Sequence, residues 1–300
     1  MFEFNEELMH RLRMIDSSEE FFEYLKKPLR KSIRINTLKA DAEEVFEKLS
    51  KRYKLERIPW CREGFYINTE NVGNLLEHKL GLIFSQEASS MIPACAMELK
   101  PGMLVLDMAA SPGAKTTQIA QYMENRGCII ANDVKKGRLN ILISNLQRCG
   151  VLIAKVTLRD GRSFSKFENT FDGILLDAPC SNTGMIRKNF KYAIIWKKKD
   201  VEALAKLQKD LILSAYRALK PGGVMVYSTC SLDPEENEGV VDYLLSNTDA
   251  EIVRIDLPVR RHEAITEFDG KKFDRRIKNC LRIHPQDNNT GGFFVAKVVK

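Results

Sequence analysis

Two tryptophans, four histidines and seven cysteines are what this 300-residue chain has least of. The cysteines stand at positions 61, 95, 128, 149, 180, 230 and 280, an odd number, widely spaced and without a C-x-x-C pair. With so few histidines beside them, they exclude a zinc cluster or a disulfide framework, and no metal is expected. Reduced thiols in a cytoplasmic protein are the natural reading. No run of apolar residues approaches the eighteen or so that a membrane span needs. The acidic start Met1-Phe2-Glu3-Phe4-Asn5-Glu6-Glu7 lacks the basic and apolar character of a secretory or transit segment. Internal repeats, low-complexity tracts and long Gly/Ser linkers are also missing, so a monomer of one or two ordinary domains is expected.

Apolar residues make up 44% of the chain, enough for a sizeable core. A net charge of +7 is compatible with a polyanionic partner, although a solvated Lys-rich surface gives the same figure. Residues 1–85 differ in pattern from residues 86–300. In the first part, Ser18-Glu19-Glu20 opens a helix that Pro28 stops. Lys31 to Thr37 alternates as a strand, Asp41 caps a helix to about Lys51, and Gly64 to Ile67 reads as another strand. Arg30, Lys31 and Arg34 read as exposed basic residues of this small α/β module.

In the second part, strands alternate with helices. Met103–Asp107, Cys128–Asp133, Ala154–Leu158, Gly173–Asp177 and Gly223–Ser228 are near-continuously apolar, with amphipathic helices between them. That pattern predicts a Rossmann-like α/β domain whose parallel sheet is covered on both faces, with ligands beyond the carboxyl ends of the strands. An acid stands at four of those ends: Asp107, Asp133, Asp160 and Asp177. One Asp after a strand is ordinarily a turn former or helix cap; four along one edge point to a ligand.

The first turn, Asp107-Met108-Ala109-Ala110-Ser111-Pro112-Gly113-Ala114-Lys115, is built of small residues that let a ligand approach the backbone and a helix start. It is neither a Walker loop nor G-x-G-x-x-G. Asp133 follows Gly113 by the spacing at which an acid meets a ribose in dinucleotide folds. A nucleoside-bearing cofactor without a pyrophosphate fits, and S-adenosylmethionine is such a molecule. Two cysteines share the same edge, Cys180 after the fourth strand and Cys230 after the fifth. Two thiols and a carboxylate beside an adenosyl cofactor suggest covalent catalysis on a pyrimidine, whose C5 becomes nucleophilic once a thiolate has added at C6. Two buried structural cysteines are the plain alternative.

These residues resemble the RNA cytosine-5 methyltransferases of the NOL1/NOP2/Sun type, over roughly residues 30–300. Gln86 to Met91 is similar to that family's entry helix, and Asp107 to Thr117 to its cofactor loop. Asp177-Ala178-Pro179-Cys180-Ser181 and Tyr227-Ser228-Thr229-Cys230-Ser231 are similar to its two cysteine motifs. Arg282-Ile283-His284-Pro285 and Gly291 to Ala296 resemble its closing segment. The resemblance implies a class I methyltransferase domain over residues 86–300, preceded over residues 1–85 by a small domain like an RNA-recognition motif. It implies Cys230 as the nucleophile at C6, Cys180 in proton removal and product release, Asp177 at cytosine N3 and Lys115 beside them. Ala109, Ala110, Ser111, Pro112, Gly113, Ala114 and Lys115 would cradle the methionine end of S-adenosylmethionine. Asp133 would meet its ribose and Asp160 its adenine, with Arg138 supporting and Asp177 also facing the cofactor. Ala109, Ser111 and Ala114 depart from the family's usual loop but stay small, and Asn182 stands where many relatives have Gly.

The implied partner is RNA, either tRNA or rRNA. Basic residues recur at Arg187, Lys188, Lys191, Lys197 to Lys199, Arg260, Arg261 and on to Arg282. Each run taken singly reads as a solvated face, but the acid-free stretch Arg187 to Lys199, directly after the Cys180 loop, reads as phosphate contacts. Two alternatives remain open at this point: a uracil-C5 methyltransferase, and a non-catalytic RNA-binding factor that keeps the cofactor fold.

Overall fold

In the computed structural model, which describes residues 5–300, the first three long helices begin at side chains that accept their leading amide protons. Asn5 accepts from Glu7 and Leu8 at the head of α1 (Glu6–Ile15), Ser18 from Phe21 at the head of α2 (Glu19–Lys26), and Asp41 from Glu43 and Glu44 at the head of α3 (Ala42–Ser50). Such caps contribute about 1 kcal/mol each. α2 and α3 fall where the sequence places them. α1 is an addition, although Asn5 followed by two glutamates is a helix-start signal.

Strands β1 (Ser32–Ile35), β2 (Leu55–Arg57), β3 (Gly64–Ile67) and β4 (Ile83–Ser85) form an antiparallel sheet in the order β2-β3-β1-β4. Ile33, Ile35, Phe65 and Ile67 pack there on Val45 and Leu49 of α3. α1 and α2 belong to another cluster, in which Leu8, Leu12, Phe21 and Leu25 pack with Ile186, Trp196, Val201 and Leu232. α1 and α2 are thus tied by apolar contact to the later half of the chain.

The second sheet contains β5 (Leu104–Asp107), β6 (Cys128–Asp133), β7 (Ala154–Leu158), β8 (Phe171–Asp177) and β9 (Leu219–Thr229), all parallel. After β9 come β10 (Glu251–Val253), a small hairpin of β11 (Glu267–Phe268) and β12 (Lys271–Lys272), then β13 (Leu281–Ile283) and β14 (Phe293–Val299). The order is β10-β14-β9-β8-β5-β6-β7, with β13 also on β14. β14 runs antiparallel to β9 and β10, so the sheet is mixed, not wholly parallel as the apolar runs imply. A continuous apolar run shows that a strand is buried but leaves its direction open.

Side chains alternate across the sheet. Val105, Leu175, Val226 and Val295 face one cluster, with Ile119 and Leu142 of the helices Ala114–Tyr122 and Lys136–Arg148. Leu106, Leu176, Tyr227 and Phe294 face the other, with Ile212, Ala215 and Val240. Burying a large apolar side chain contributes about 1.5–3 kcal/mol, so the strands are fixed by both faces at once. The registers Asp107 with Ala131 and with Leu175, and Asp177 with Ser228, align the carboxyl ends in one row.

Three arginines expected at the surface are inside. Arg34 is wholly buried, donating to Gln86 Oε1 (3.0 Å), Thr117 Oγ1 (2.7 Å), Ala114 O (3.3 Å) and Gln121 Oε1. It fastens the first sheet to the helix that follows the cofactor loop. Arg187 is buried and donates to the carbonyls of Lys27, Pro28 and Thr290 and to Asn289 Oδ1. Arg282 is buried against Glu238. Each occupies a place where several unpaired carbonyl or carboxylate oxygens need donors, and a guanidinium supplies five.

Candidate active site

The loop after β5 is shaped by Gly113, whose φ of +102° starts the helix Ala114–Tyr122; a Cβ there would lie 3.1 Å from Leu142 Cδ1. The first amides of that helix are left facing the sheet edge. Asp107, under the loop, is fully buried and accepts from Thr116 Oγ1 at 2.6 Å, while its other oxygen has no partner. Burial, with Asp177 nearby, pushes the Asp107 carboxyl up to about 7 against the opposing Thr116 bond and Lys115. Lys115 Nζ donates to Asp177 Oδ2 and to Ser90 Oγ, both at 2.8 Å, and Ser228 Oγ donates to Asp177 Oδ1 at 2.8 Å.

Asp133 ends β6 almost wholly buried. Its Oδ1 accepts the Lys135 amide, and its Oδ2 lacks a hydrogen-bond partner, 3.6 Å from Arg138 Nη1. Arg138 in turn donates to the Ser111 carbonyl, and Ser111 Oγ donates to the Arg138 carbonyl, locking the loop to the next helix. Asp160 caps a short helical turn and is half exposed; both its oxygens engage Arg162, which holds its carboxyl below the ordinary range. A cavity of about 600 Å³ is lined by Ala109, Ser111, Pro112, Asp133, Arg138, Asp160, Asp177, Cys180 and Cys230. Ala110, Ala114, Lys115 and Asp107 line the recess beside it.

The thiols meet at the far end. Cys180 and Cys230 Sγ are 3.1 Å apart, because β8 and β9 are parallel neighbours whose ends coincide. The hydrogen bond to Cys230, together with burial, pushes the Cys180 thiol well above its ordinary value. Asn182 adopts left-handed φ 60° and ψ 24°, a conformation that Asn tolerates better than most side chains. It therefore keeps the turn while adding an amide: Oδ1 lies 3.1 Å from Cys230 Sγ, and Nδ2 donates to the Cys180 carbonyl at 2.9 Å. At Gly184 a Cβ would come within 2.1 Å of the Gly292 carbonyl, so only glycine lets these strands' loops close up.

Some of this is not visible in the sequence. Asp107 stands out as a strand-end acid, yet only its unpartnered oxygen shows that it faces the site. Val134, Pro179, Leu207 and Leu211 form apolar cavity walls; Leu207 and Leu211, on the helix Lys198–Ala218, read simply as core. Asp16, His262 and His284 are the one group at metal-ligand spacing among the described residues. The two imidazoles are stacked at 3.7 Å and 15°, so their lone pairs do not converge on a shared ion.

A class I sheet with small-residue turn, strand-end acids and a nucleoside-sized cavity defines an S-adenosylmethionine-dependent methyltransferase. Residues 94–299 match the family model of the 16S rRNA methyltransferase RsmB/F, and residues 3–88 match that of the N-terminal domain of 16S rRNA methyltransferase RsmF. The chain belongs to this family, the NOL1/NOP2/Sun group of RNA cytosine-C5 methyltransferases. It is 56% identical over 299 residues to the tRNA (cytosine(49)-C(5))-methyltransferase of Pyrococcus abyssi, covering 99% of this chain and 96% of that protein. With ribosomal RNA small subunit methyltransferase F of Aliivibrio fischeri it shares 43% identity over 297 residues, 95% of this chain but 60% of the longer bacterial protein. Among solved structures, a methyltransferase homologue from Pyrococcus horikoshii superposes with a TM-score of 0.88 at 37% identity, covering 99% and 95% of the two chains. NSun6 from the same organism, solved with the S-adenosylmethionine analogue SFG, gives 0.85 at 26% identity, covering 99% and 98%. The chain is thus an enzyme, an S-adenosylmethionine-dependent RNA (cytosine-5-)-methyltransferase.

Proposed function

We propose that methylation proceeds through a bond between Cys230 Sγ and C6 of the target cytosine, and that the RNA is a tRNA. The observation that carries the mechanism is the 3.1 Å approach of two thiols on the cavity wall, beside the Lys115–Asp177 pair. S-adenosylmethionine bound there supplies an electrophilic methyl group. Addition of the Cys230 sulfur to C6 gives C5 the electron density to take a methyl group, which the uncombined ring lacks. Asp177, steadied by Lys115 and Ser228, is placed to share a proton with cytosine N3. Cys180, once its own proton has passed to solvent, takes the C5 proton as a thiolate. The C–H electron pair re-forms the C5–C6 double bond and expels the Cys230 thiolate, freeing the methylated cytosine.

The residues fit the cofactor. The unpartnered oxygens of Asp133 and Asp107 are acceptors awaiting donors, and they suit ribose hydroxyls and the cofactor's ammonium respectively. Ala109 to Lys115 leave room for its methionine end, Arg138 braces the loop, and Asp160 stands at the rim for the adenine amine. Residues 1–85 act as the RNA-binding module and 86–300 as the catalytic domain. Phosphate contacts fall to exposed Lys26, Lys27 and Lys31 and to exposed Lys188, Lys191 and Lys197 to Lys199, since Arg187 and Arg282 are taken up inside. The Arg187 bonds hold the Lys27–Pro28 segment against the loop that follows Cys180, joining the two basic groups. A tRNA substrate is favoured by near-complete coverage of a tRNA-modifying relative, against 60% of the rRNA enzymes.

Trapping tests the mechanism. Cys230→Ala abolishes methyl transfer. Cys180→Ala still forms the bond to RNA but fails to release it, giving a complex that survives denaturation and disappears in the double variant. A trap formed by Cys230→Ala instead would reverse the roles.

A further inference from the structure

Glu236 is wholly buried, in the loop between β9 and the helix Glu238–Asn247, and takes no part in the chemistry just described. Its carboxylate is divided between two loops. Oε2 accepts the Ser181 amide at 3.0 Å and Gln208 Nε2 at 2.9 Å, while Oε1 accepts the Ser231 hydroxyl at 2.8 Å. Ser181 directly follows Cys180, and Ser231 directly follows Cys230. The Tyr227 hydroxyl donates to the Glu236 carbonyl, so the main chain beneath the carboxylate is fixed as well. One side chain therefore spans the two loops whose thiols must work in turn.

We infer that Glu236 is a positioning residue for the reaction, its ionised carboxylate holding the Cys180 and Cys230 loops in working register. This rests on the roles proposed above for the two thiols. The Ser181 backbone N–H and the Gln208 Nε2 group can only donate, so a protonated Glu236 gives up part of its hold on them. Burial, with Asp233 beside it, pushes this carboxyl up to about 7, against the bonds from Ser181, Ser231 and Gln208. The charged and titratable groups around it are Asp233 on its own loop, Tyr227 from β9 and Cys180 from the loop after β8. Arg11 of α1 reaches it only through Asp233, with which it is paired. Gln208, from the helix Lys198–Ala218, is neutral. As pH falls through about 7 the grip loosens, and methyl transfer slows without loss of the cofactor site.

The test compares Glu236→Gln with the unaltered enzyme in kcat, cofactor affinity and pH profile, using a tRNA transcript. A glutamine keeps the volume and one acceptor, and the Ser231 hydroxyl can turn to accept from its amide. The expected result is a fall in kcat of about tenfold or more, cofactor Kd within twofold, and loss of the acid limb near pH 7. An unchanged kcat with the acid limb retained would overturn the inference. So would a lower kcat with the acid limb unmoved, because that is the behaviour of a merely structural residue. Cys230→Ala is run alongside. An active Cys230→Ala would overturn the reading of the thiols and this inference with it, whereas an inactive one beside a normal Glu236→Gln overturns the inference alone.

Discussion

Arg282→Met would leave Glu238 charged in a place that water does not reach. The two side chains are 1% and 0% exposed and paired by two contacts, Nε to Oε1 at 2.7 Å and Nη2 to Oε2 at 2.6 Å. Removing one member of such a pair strands the other, at a cost of about 3–5 kcal/mol. At roughly 2–4 °C per kcal/mol for a chain approaching this size, the melting temperature should drop by roughly 6–20 °C. Replacing both members, as Arg282→Met with Glu238→Leu, removes the stranded charge and should recover most of that loss. The recovery stops short of complete because Glu238 Oε1 also accepts the Ile265 amide at 3.1 Å. Arg282 Nη1 further donates to the Leu232 carbonyl at 3.0 Å, two residues beyond Cys230, so the single variant should also lose activity at temperatures where it is still folded. Urea and thermal unfolding followed by circular dichroism supply both measurements. A loss below 1 kcal/mol for the single variant, or a double variant no more stable than the single, would refute the reasoning.

Asp133→Ala removes the acceptor at the end of β6 and should weaken S-adenosylmethionine binding by about 1.5–3 kcal/mol in calorimetry, unchanged affinity counting against the ribose assignment. His284 is buried, which lowers its pKa to about 4 from an ordinary 6.5 despite the Asp16 bond, so the folded state resists a proton that the unfolded chain accepts. Stability is then complete above about pH 6.5 and is lost as pH falls through 4, by roughly 3 kcal/mol, a loss that His284→Asn should diminish in urea midpoints compared at pH 8 and pH 4. Charge reversal at Lys188 and Lys191 should flatten the log–log dependence of RNA affinity on salt, whereas an unaltered slope would leave those lysines as a solvated face.

Much of the framework is legible because the parallel strands contain apolar runs and four of the five are ended or closely followed by an acid. β6 and β7 match their expected boundaries, and the meeting of Cys180 with Cys230 follows from β8 and β9 being neighbours. What local pattern cannot carry is the partner of a buried charge. Arg34 finds acceptors 52 to 87 residues away and Arg187 up to 160 away, so both read as surface until the chain is folded. Asn182 shows the same limit at short range. Its turn is readable as a departure from glycine, but its contact with the Cys230 sulfur depends on how closely β8 and β9 lie.

The insertion of β14 between β9 and β10 also bears on when the enzyme comes into being. β14 is the last strand in chain order, and it places Phe294 opposite Thr229, next to Cys230, while Gly292 donates to the Gly184 carbonyl. A growing polypeptide that has emerged only as far as β13 already carries both thiols and every strand-end acid. It still presents β9 as an open flank, with the loops of the two cysteines lacking that clasp. In order of synthesis, the residues of the cofactor cradle thus all precede the strand that closes the catalytic corner.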